Sequence, residues 1–173
     1  MPRLIHLNGP TGVGKSTIAA RYAADHPRTL NLDADEIVRL VGAWEDDFSG
    51  AVNLVRPLAI TMASTHLRSG HDVVMPQLIT ARDQSAAFAK AAAEVGAEYV
   101  ELVLLAPPET TIDRYQAREH HIDRAVEDMG GVTVIRRIHE HLAAYLTAES
   151  VVIDTEGADA EQTYKTVLAA LSA

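Results

Sequence analysis

Hydrophobic and polar positions alternate along the chain with two different periods, which predicts strands and helices in turn. Short apolar runs typical of buried strands lie at 3–8, 29–33, within 69–77, at 99–107 and at 150–155. Helical spacing of apolar residues predicts helices at 15–26, 34–41, 51–68, 81–95, 109–118 and 132–147, and a closing helix that carries Tyr164, Val167, Leu168 and Leu171. This alternation predicts an α/β protein with a doubly wound, five-stranded parallel sheet flanked by helices.

Length and composition narrow this picture to one domain. The 173 residues show no repeats and no linker, so we expect a single domain over 1–173. The net charge is −9 and no block of basic residues occurs, which argues against a nucleic-acid partner. No apolar run reaches the roughly 20 residues of a membrane span. We therefore expect no membrane partner. The chain has no cysteine, which fits a reducing compartment, so we expect a cytoplasmic protein. The sequence does not indicate the oligomeric state.

The strongest motif is "GPTGVGKST", which lies between the first predicted strand and the first predicted helix. Gly9, Gly14, Lys15 and Ser16 fit the pattern G-x-x-x-x-G-K-[ST] of a phosphate loop. In such a loop the backbone N–H groups hold the phosphates, the lysine reaches the β- and γ-phosphates, and the serine hydroxyl binds Mg²⁺. The motif predicts ATP and Mg²⁺ as ligands. The predicted contacts are Gly9, Pro10, Thr11, Gly12, Val13, Gly14, Lys15, Ser16 and Thr17.

Two carboxylates distinguish a transferase from a switch or a motor. A GTPase needs an N/T-K-x-D segment, which does not occur, and the third strand ends in "VVMPQ" without the aspartate that motor ATPases use for Mg²⁺. In contrast, Asp33 and Asp35 follow the second strand, beside the phosphate loop. Transfer of a phosphoryl group to a hydroxyl needs such a carboxylate to orient and deprotonate the acceptor. If the strand continues through Asp35, both side chains point the same way; if a helix begins at Asp33, they diverge and Asp33 is an N-cap.

The phosphate loop followed by "LDADEIV" resembles the small P-loop kinases of the shikimate and gluconate kinase type. The resemblance implies that Asp33 assists Mg²⁺ through water and that Asp35 holds and deprotonates the acceptor hydroxyl. The segment "DRYQAREHHIDRA" resembles the mobile lid of these kinases. We therefore expect a short lid at about 118–131, in which Arg118 and then Arg124 close over the phosphates.

A closer resemblance is to tunicamycin-resistance proteins and, more loosely, to chloramphenicol phosphotransferases. The similar stretches are "EDDF" (45–48), "DVVMPQLI" (72–79) and "IDRAVEDM" (122–129). The resemblance implies a hydroxylated small molecule as acceptor, with antibiotics among the candidates. "MPQ" replaces the glycine-rich segment of shikimate kinases, and the lid lacks their arginine-proline run, so shikimate is not the expected acceptor.

Further candidates belong to the predicted acceptor pocket and to the adenine site. Arg56, Gln77, Trp44 and Phe48 are candidates for the acceptor pocket, together with Asp35. Each has an alternative without a role in binding: Arg56 as an exposed arginine on a helix, and Gln77 as a hydrogen-bond partner for a loop. Trp44 and Phe48 could instead belong to a small core. Analogy to related kinases suggests that Arg114 stacks on adenine, and residues 152–157 follow the last strand, where backbone groups reach the base. The eight histidines show no shared helical face, so we expect surface residues rather than metal ligands.

Together these features predict transfer of the γ-phosphoryl group from ATP·Mg²⁺ to a hydroxyl. Asp35 is the expected base, Lys15 and Arg118 offset the phosphoryl charge, and Ser16 and Asp33 hold the metal. One alternative is a nucleoside or nucleotide kinase, which would need more arginines outside the lid than the chain offers. The other is an ATP-binding protein that sequesters an antibiotic without phosphorylating it, against which the pair of aspartates argues.

Overall fold

The fold places a central parallel sheet between two layers of helices. The computed structural model describes residues 1–117 and 123–172. The strands are β1 (Arg3–Asn8), β2 (Leu30–Asn31), β3 (Val73–Pro76), β4 (Glu98–Leu105) and β5 (Val151–Asp154). The helices are α1 (Lys15–Asp25), α2 (Ala34–Val38), α3 (Phe48–Arg68), α4 (Arg82–Ala93), α5 (Pro108–Gln116), α6 (Asp123–Asp128), α7 (Val132–Tyr145) and α8 (Ala160–Ala170). The predicted alternation of strands and helices is confirmed.

The strand order puts β1 in the middle of the sheet. All pairs are parallel in the order β2-β3-β1-β4-β5, and Leu7 of β1 lies opposite Pro76 on one side and Leu102 on the other. The carboxyl ends of parallel strands share one edge, and ligands bind there in open α/β sheets. The segments that follow β1, β2 and β3 therefore meet at this edge.

Side chains on opposite faces of β1 pack into two different hydrophobic cores. Ile5 and Leu7 pack against α1 and α8, whereas Leu4 packs against α3 and α4. Since successive side chains of a strand point to opposite faces, both faces of the sheet are covered. The doubly wound α/β class is confirmed.

One short helix, α6, lies within the predicted lid segment at about 118–131, of which the structure describes residues 123–131. Val126 of α6 is 7% exposed and packs with Ile112, Tyr115 and Ile135 of the neighbouring helices. This apolar contact stabilises a short helix in a segment whose composition is mostly polar. The mobility of the lid stays a prediction. Within 1–117 and 123–172, no helix is both long and apolar enough to cross a membrane.

Candidate active site

The phosphate loop connects the end of β1 to the start of α1. Gly14 is the N-cap of α1, with φ 103° and no side chain to cap the helix. The first N–H groups of a helix lack intrahelical partners, and the helix dipole makes this end attractive to anions. The local geometry is therefore that of a phosphate site, as the motif predicts.

The side chain of Lys15 lies over this loop. Its Nζ donates hydrogen bonds to the carbonyl oxygens of Gly9, at 2.8 Å, and of Pro10, at 3.0 Å. Ser16 and Thr17, the next residues of α1, are exposed. The loop thus presents an ammonium group, two hydroxyls and a helix N-terminus together.

Gly12 brings the phosphate loop into close contact with α5. It has φ 87°, and a Cβ at this position would lie 2.2 Å from the backbone oxygen of Thr111. A contact this short between heavy atoms is not tolerated, so only glycine fits without a shift of the backbone. Gly12 stands at a variable position of the motif, and the sequence alone gives no sign of this constraint.

A cavity of about 270 Å³ opens on one side of the phosphate loop, and we call it the front cavity. The loop side consists of Thr11, Gly12, Gly14, Lys15, Ser16 and Thr17. The facing walls consist of Asp35, Phe48, Val52, Pro76, Gln77, Leu78, Val126, Met129, Val134 and Ile138. The front cavity thus brings the predicted phosphate site together with Asp35, Phe48 and Gln77.

The two aspartates after β2 have different surroundings. The strand ends at Asn31 and α2 begins at Ala34, so Asp33 is the N-cap, and its Oδ1 accepts a hydrogen bond from the backbone N–H of Asp35 at 3.1 Å. Of the two alternatives, the structure has the one in which the strand ends early and Asp33 is the N-cap of a helix. Only Asp35 lines the front cavity, which makes it the better placed carboxylate for chemistry at the loop.

A small cavity of about 60 Å³, the side pocket, adjoins the front cavity through Asp35, Val52, Gln77 and Leu78. Arg56 of α3 lines it, as does Gln84 of α4, a residue that the sequence analysis missed. The Nη1 atom of Arg56 donates to Oδ1 of Asn53 at 3.3 Å. The predicted acceptor residues Arg56 and Gln77 are therefore close to Asp35, whereas their role in binding stays a prediction.

Trp44 takes part in a small core beside the site. Its ring packs edge-on against Phe48 with centroids 6.4 Å apart, and both pack against a cluster formed by Val38, Ala51 and Val55. Phe48 also lines the front cavity, whereas Trp44 is not among the described lining residues. Contact of Trp44 with an acceptor stays a prediction.

A second cavity of about 270 Å³, the rear cavity, also borders the phosphate loop and shares Gly14 and Thr17 with the front cavity. It is lined by Val13, Gly14, Thr17, Ile18, Arg114, Ala158, Asp159, Ala160 and Thr163. Arg114 donates through Nη2 to the backbone oxygen of Thr155 at 3.0 Å and through Nη1 to its hydroxyl at 3.3 Å. The predicted adenine contact Arg114 and the turn after β5 thus meet beside the loop.

The two predicted lid arginines are Arg118 and Arg124. Arg118 lies outside the described residues. Arg124 belongs to α6, but its side chain lies outside the described part of the chain. Their contact with phosphate stays a prediction.

The arrangement offers oxygen ligands for a magnesium ion. The exposed hydroxyl of Ser16 stands at the start of α1 and lines the front cavity, whereas Asp33, the other predicted ligand, is not among the described residues that line it. Mg²⁺ prefers oxygen ligands and is commonly bound by one or two protein groups together with substrate phosphates. Among the described residues, no group of three or more His, Cys, Asp or Glu side chains could hold a metal ion. The donor set therefore fits an ion that enters with a nucleotide.

A buried side chain, Asn8, ties the phosphate loop to the segment after β3. Its Nδ2 donates to the carbonyl of Ile79 at 2.8 Å and to Oε1 of Glu101 at 2.7 Å. Its Oδ1 accepts from the N–H of Gly9 at 2.8 Å and from the N–H of Ile79 at 3.0 Å. Asn8 therefore fixes both the entry to the loop and the wall of the front cavity that contains Gln77 and Leu78.

Glu101 and His6 complete this polar network below the site. His6 is fully buried, and its Nε2 donates to the backbone carbonyl of Gln77 at 2.8 Å. The hydroxyl of Tyr145 donates to Glu101, whose Oε1 also lies 3.3 Å from Nδ1 of His6. Burial raises the pKa of Glu101, but its contacts with His6, Asn8 and Tyr145 outweigh this effect and leave the pKa below its ordinary value. The network is thus built around an ionised carboxylate.

Comparisons with known proteins identify the family and the fold of the chain. The sequence profile of the AAA domain family matches residues 4–131. No curated protein sequence matches the chain significantly. Among solved structures, the tunicamycin resistance protein of Deinococcus radiodurans superposes with a TM-score of 0.64 at 18% identity, over 98% of this chain and 95% of that protein.

Two kinases are also similar in structure. The gluconokinase of Sinorhizobium meliloti has a TM-score of 0.61 at 17% identity, over 98% of this chain and 93% of that one. The APS kinase of Mycobacterium tuberculosis has a TM-score of 0.61 at 15% identity, over 99% and 98%. Identities this low show the fold rather than a shared substrate. Because the family match covers residues 4–131, the chain belongs to the AAA domain family, and the superpositions show that it has the fold of the P-loop small-molecule kinases.

Proposed function

We propose that the protein is a phosphotransferase that moves the γ-phosphoryl group of ATP to a hydroxyl group of a small molecule. The observation that carries this proposal is that Asp35 lines the front cavity together with Lys15 and Ser16 of the phosphate loop. A carboxylate that faces the phosphate site is the group that a hydroxyl acceptor needs.

The two cavities support a division of the nucleotide and the acceptor between them. In the proposal the adenine and ribose occupy the rear cavity beside Arg114, and the phosphates cross the loop toward Lys15. The γ-phosphoryl group then reaches the front cavity, where the acceptor hydroxyl approaches it beside Asp35. The two cavities have Gly14 and Thr17 of the phosphate loop in common. This shared border supports a path for the phosphates from one cavity to the other.

The chemical step consists of one bond formed and one bond broken at phosphorus. The acceptor oxygen bonds to the γ-phosphorus while its proton passes to the carboxylate of Asp35. The bond from the γ-phosphorus to the β,γ-bridging oxygen breaks, and its electron pair leaves with ADP. Lys15 balances the negative charge on the phosphoryl oxygens, a role that the predicted lid residue Arg118 would share.

Magnesium would be held by Ser16 and, as the resemblance to small kinases implies, by Asp33 through water. When bound, Mg²⁺ neutralises charge on the phosphates. The cap bond of Asp33 engages its Oδ1 atom, and this fixes the carboxylate next to the start of α2. Antibiotics with hydroxyl groups belong to the proposed acceptors, because the fold is shared with a tunicamycin resistance protein.

The experiment follows labelled phosphate from γ-labelled ATP·Mg²⁺ in the presence of a panel of hydroxylated antibiotics and metabolites. The expected result is a labelled organic product with at least one acceptor and one ADP formed per product. Release of the label only as inorganic phosphate, unchanged by any acceptor, would contradict transfer. A compound that is retained by the protein and recovered unmodified would favour sequestration, and a labelled nucleotide as the only product would favour a nucleotide kinase.

A further inference from the structure

The walls of the front cavity are mostly apolar wherever they face away from the phosphate loop. Eight apolar side chains come from α3, from the end of β3 and the segment after it, from α6 and the residue that follows it, and from α7. They are Phe48, Val52, Pro76, Leu78, Val126, Met129, Val134 and Ile138. Outside the loop, the polar lining residues in the described part of the chain are Asp35 and Gln77. A ligand at this site therefore meets carbon on most of its surface.

The charges around the front cavity also restrict its ligand. Lys15 is the one cationic side chain among the described lining residues, and it belongs to the phosphate loop. An anionic group on the acceptor would face the carboxylate of Asp35 and would lose its hydration, and beyond the loop no cation among the described lining residues replaces it. Arg56 lies in the adjoining side pocket, beyond Asp35 and Val52.

A polyhydroxylated acceptor fits these walls equally poorly. Each hydroxyl group that is buried without a hydrogen-bond partner weakens binding, because it leaves water and gains nothing in return. The described lining beyond the loop offers the side chains of Asp35 and Gln77 as partners. One or two hydroxyl groups can therefore be satisfied, whereas a sugar has more.

We propose that the acceptor is a small, uncharged alcohol whose body is apolar, either aromatic or branched aliphatic. The proposal rests on the proposed phosphotransfer, and it specifies the class of substrate for the same site. In this arrangement the hydroxyl lies beside Asp35, and the apolar body packs between α3 and α7. The volume of about 270 Å³ limits the size, since sites for drug-sized ligands occupy about 300–1,000 Å³.

Part of the apolar wall is held in place by the protein core. Val126 packs with Ile112, Tyr115 and Ile135, so a change there would disturb the packing of α6. Val52 of α3 and Val134 of α7 are only partly buried and line the cavity from two different helices. These two valines are therefore the suitable positions for a test, and threonine keeps their shape while it adds a hydroxyl.

The test measures binding and transfer separately. Binding of 2-phenylethanol, of its para-carboxylate analogue and of sorbitol is measured by calorimetry with the protein saturated with β,γ-imido-ATP and Mg²⁺. Transfer to the same compounds is measured with γ-labelled ATP. The variant carries Val52→Thr and Val134→Thr, and the control carries Val152→Thr at a valine that is 45% exposed on β5.

We expect the aromatic alcohol to bind at least tenfold more tightly than the other two compounds, and the double variant to weaken its binding about tenfold. The Val152→Thr control should bind like the native protein. Equal or tighter binding of the carboxylate or of sorbitol would overturn the inference, as would undetectable binding of the aromatic alcohol or an unchanged affinity in the double variant. Tight binding of the aromatic alcohol without a labelled product would support the inference while contradicting phosphotransfer.

Discussion

At the residue scale, Gly12 sets how closely the phosphate loop approaches α5. An alanine there would place its Cβ 2.2 Å from the backbone oxygen of Thr111. It would also have to adopt the native φ of 87°, which is unfavourable for a residue with a side chain. We expect Gly12→Ala to lower the free energy of unfolding by about 2 kcal/mol or more, because an L-residue at positive φ alone costs about 1–2 kcal/mol. Urea denaturation measures this change.

The matched control for this substitution is Gly42→Ala. Gly42 has no atom within 4 Å of its ideal Cβ and no positive φ. We expect its free energy of unfolding to stay within about 0.5 kcal/mol of the native value. If the two variants are equally stable, the close contact between the loop and α5 does not constrain the fold.

Asp33 has two roles that substitution can separate. Its Oδ1 caps α2, and the resemblance to small kinases implies a contact with Mg²⁺ through water. Asp33→Ala should lose about 1 kcal/mol of stability, whereas Asp33→Asn should keep the cap, because asparagine is an equally good N-cap. We expect both variants to need a higher Mg²⁺ concentration for half-maximal transfer. An unchanged Mg²⁺ requirement in Asp33→Asn would show that the carboxylate acts only as a cap.

At the element scale, the network of Asn8, His6 and Glu101 connects β1 and β4 to the segment after β3. Asn8 and His6 belong to β1, Glu101 belongs to β4, and their partners Gln77 and Ile79 follow β3. Buried polar groups of this kind are costly when they lose a partner. The network therefore fixes the position of the loop relative to the segment after β3.

This network makes stability depend on pH through Glu101. The pKa of Glu101 is lowered in the folded protein, so its contribution to stability is complete above the ordinary value of 4.5 and is lost as the pH falls through the lower, folded value. Glu101→Gln should therefore be less stable than the native protein at about pH 7, and the difference should shrink at about pH 3. Chemical denaturation across this pH range measures the effect.

The control for Glu101→Gln is Glu98→Gln, at an exposed position of the same strand. Its stability should differ little from that of the native protein at every pH. A difference between Glu101→Gln and the native protein that stays constant from neutral to acidic pH would mean that the carboxylate is not stabilised in its ionised form.

Elements whose signals are local could be predicted from the sequence. The strand β1, the phosphate loop and α1 follow one another within a short stretch, and the motif and the two hydrophobic periods identify them directly. The site network could not be predicted, because Asn8 contacts Ile79 and Glu101 across sequence separations of 71 and 93 residues. The sequence also left open whether Asp33 belongs to a strand or is the N-cap of a helix, because the two alternatives differ by a shift of one or two residues in the element boundary.

The apolar wall of the front cavity was missed for a different reason. Val134 and Ile138 are four residues apart on α7, and this spacing is typical of a helix that packs its apolar face on a core. A cavity wall and a core contact have the same sequence pattern, because both place carbon on one face of a helix. Only the packing of α6 and α7 around the loop distinguishes them.

At the scale of the whole molecule, the rear cavity and the front cavity both border the phosphate loop and have Gly14 and Thr17 in common. Arg114→Met should raise the dissociation constant for ATP about tenfold, because it removes a charged group beside the proposed adenine site and its two hydrogen bonds to Thr155. The KM for the acceptor should stay unchanged. Calorimetric titration with ATP and steady-state kinetics measure the two quantities.

The control for Arg114→Met is Arg68→Met, at an exposed arginine at the end of α3. It should leave both the ATP affinity and the acceptor KM unchanged. If Arg114→Met changes the acceptor KM as strongly as the ATP affinity, the division of the two ligands between the cavities is wrong.

The central claim is that Asp35 takes the proton of an acceptor hydroxyl at the phosphate loop. The most direct measurement compares transfer of label from γ-labelled ATP by Asp35→Asn and by Asp46→Asn, which changes an exposed carboxylate of the nearby loop, with ATP affinity determined for both. Asp35→Asn should transfer at least about 100-fold more slowly with ATP affinity unchanged, because a positioned base contributes about that much or more. Asp46→Asn should behave like the native protein. Transfer by Asp35→Asn at the native rate would contradict the account.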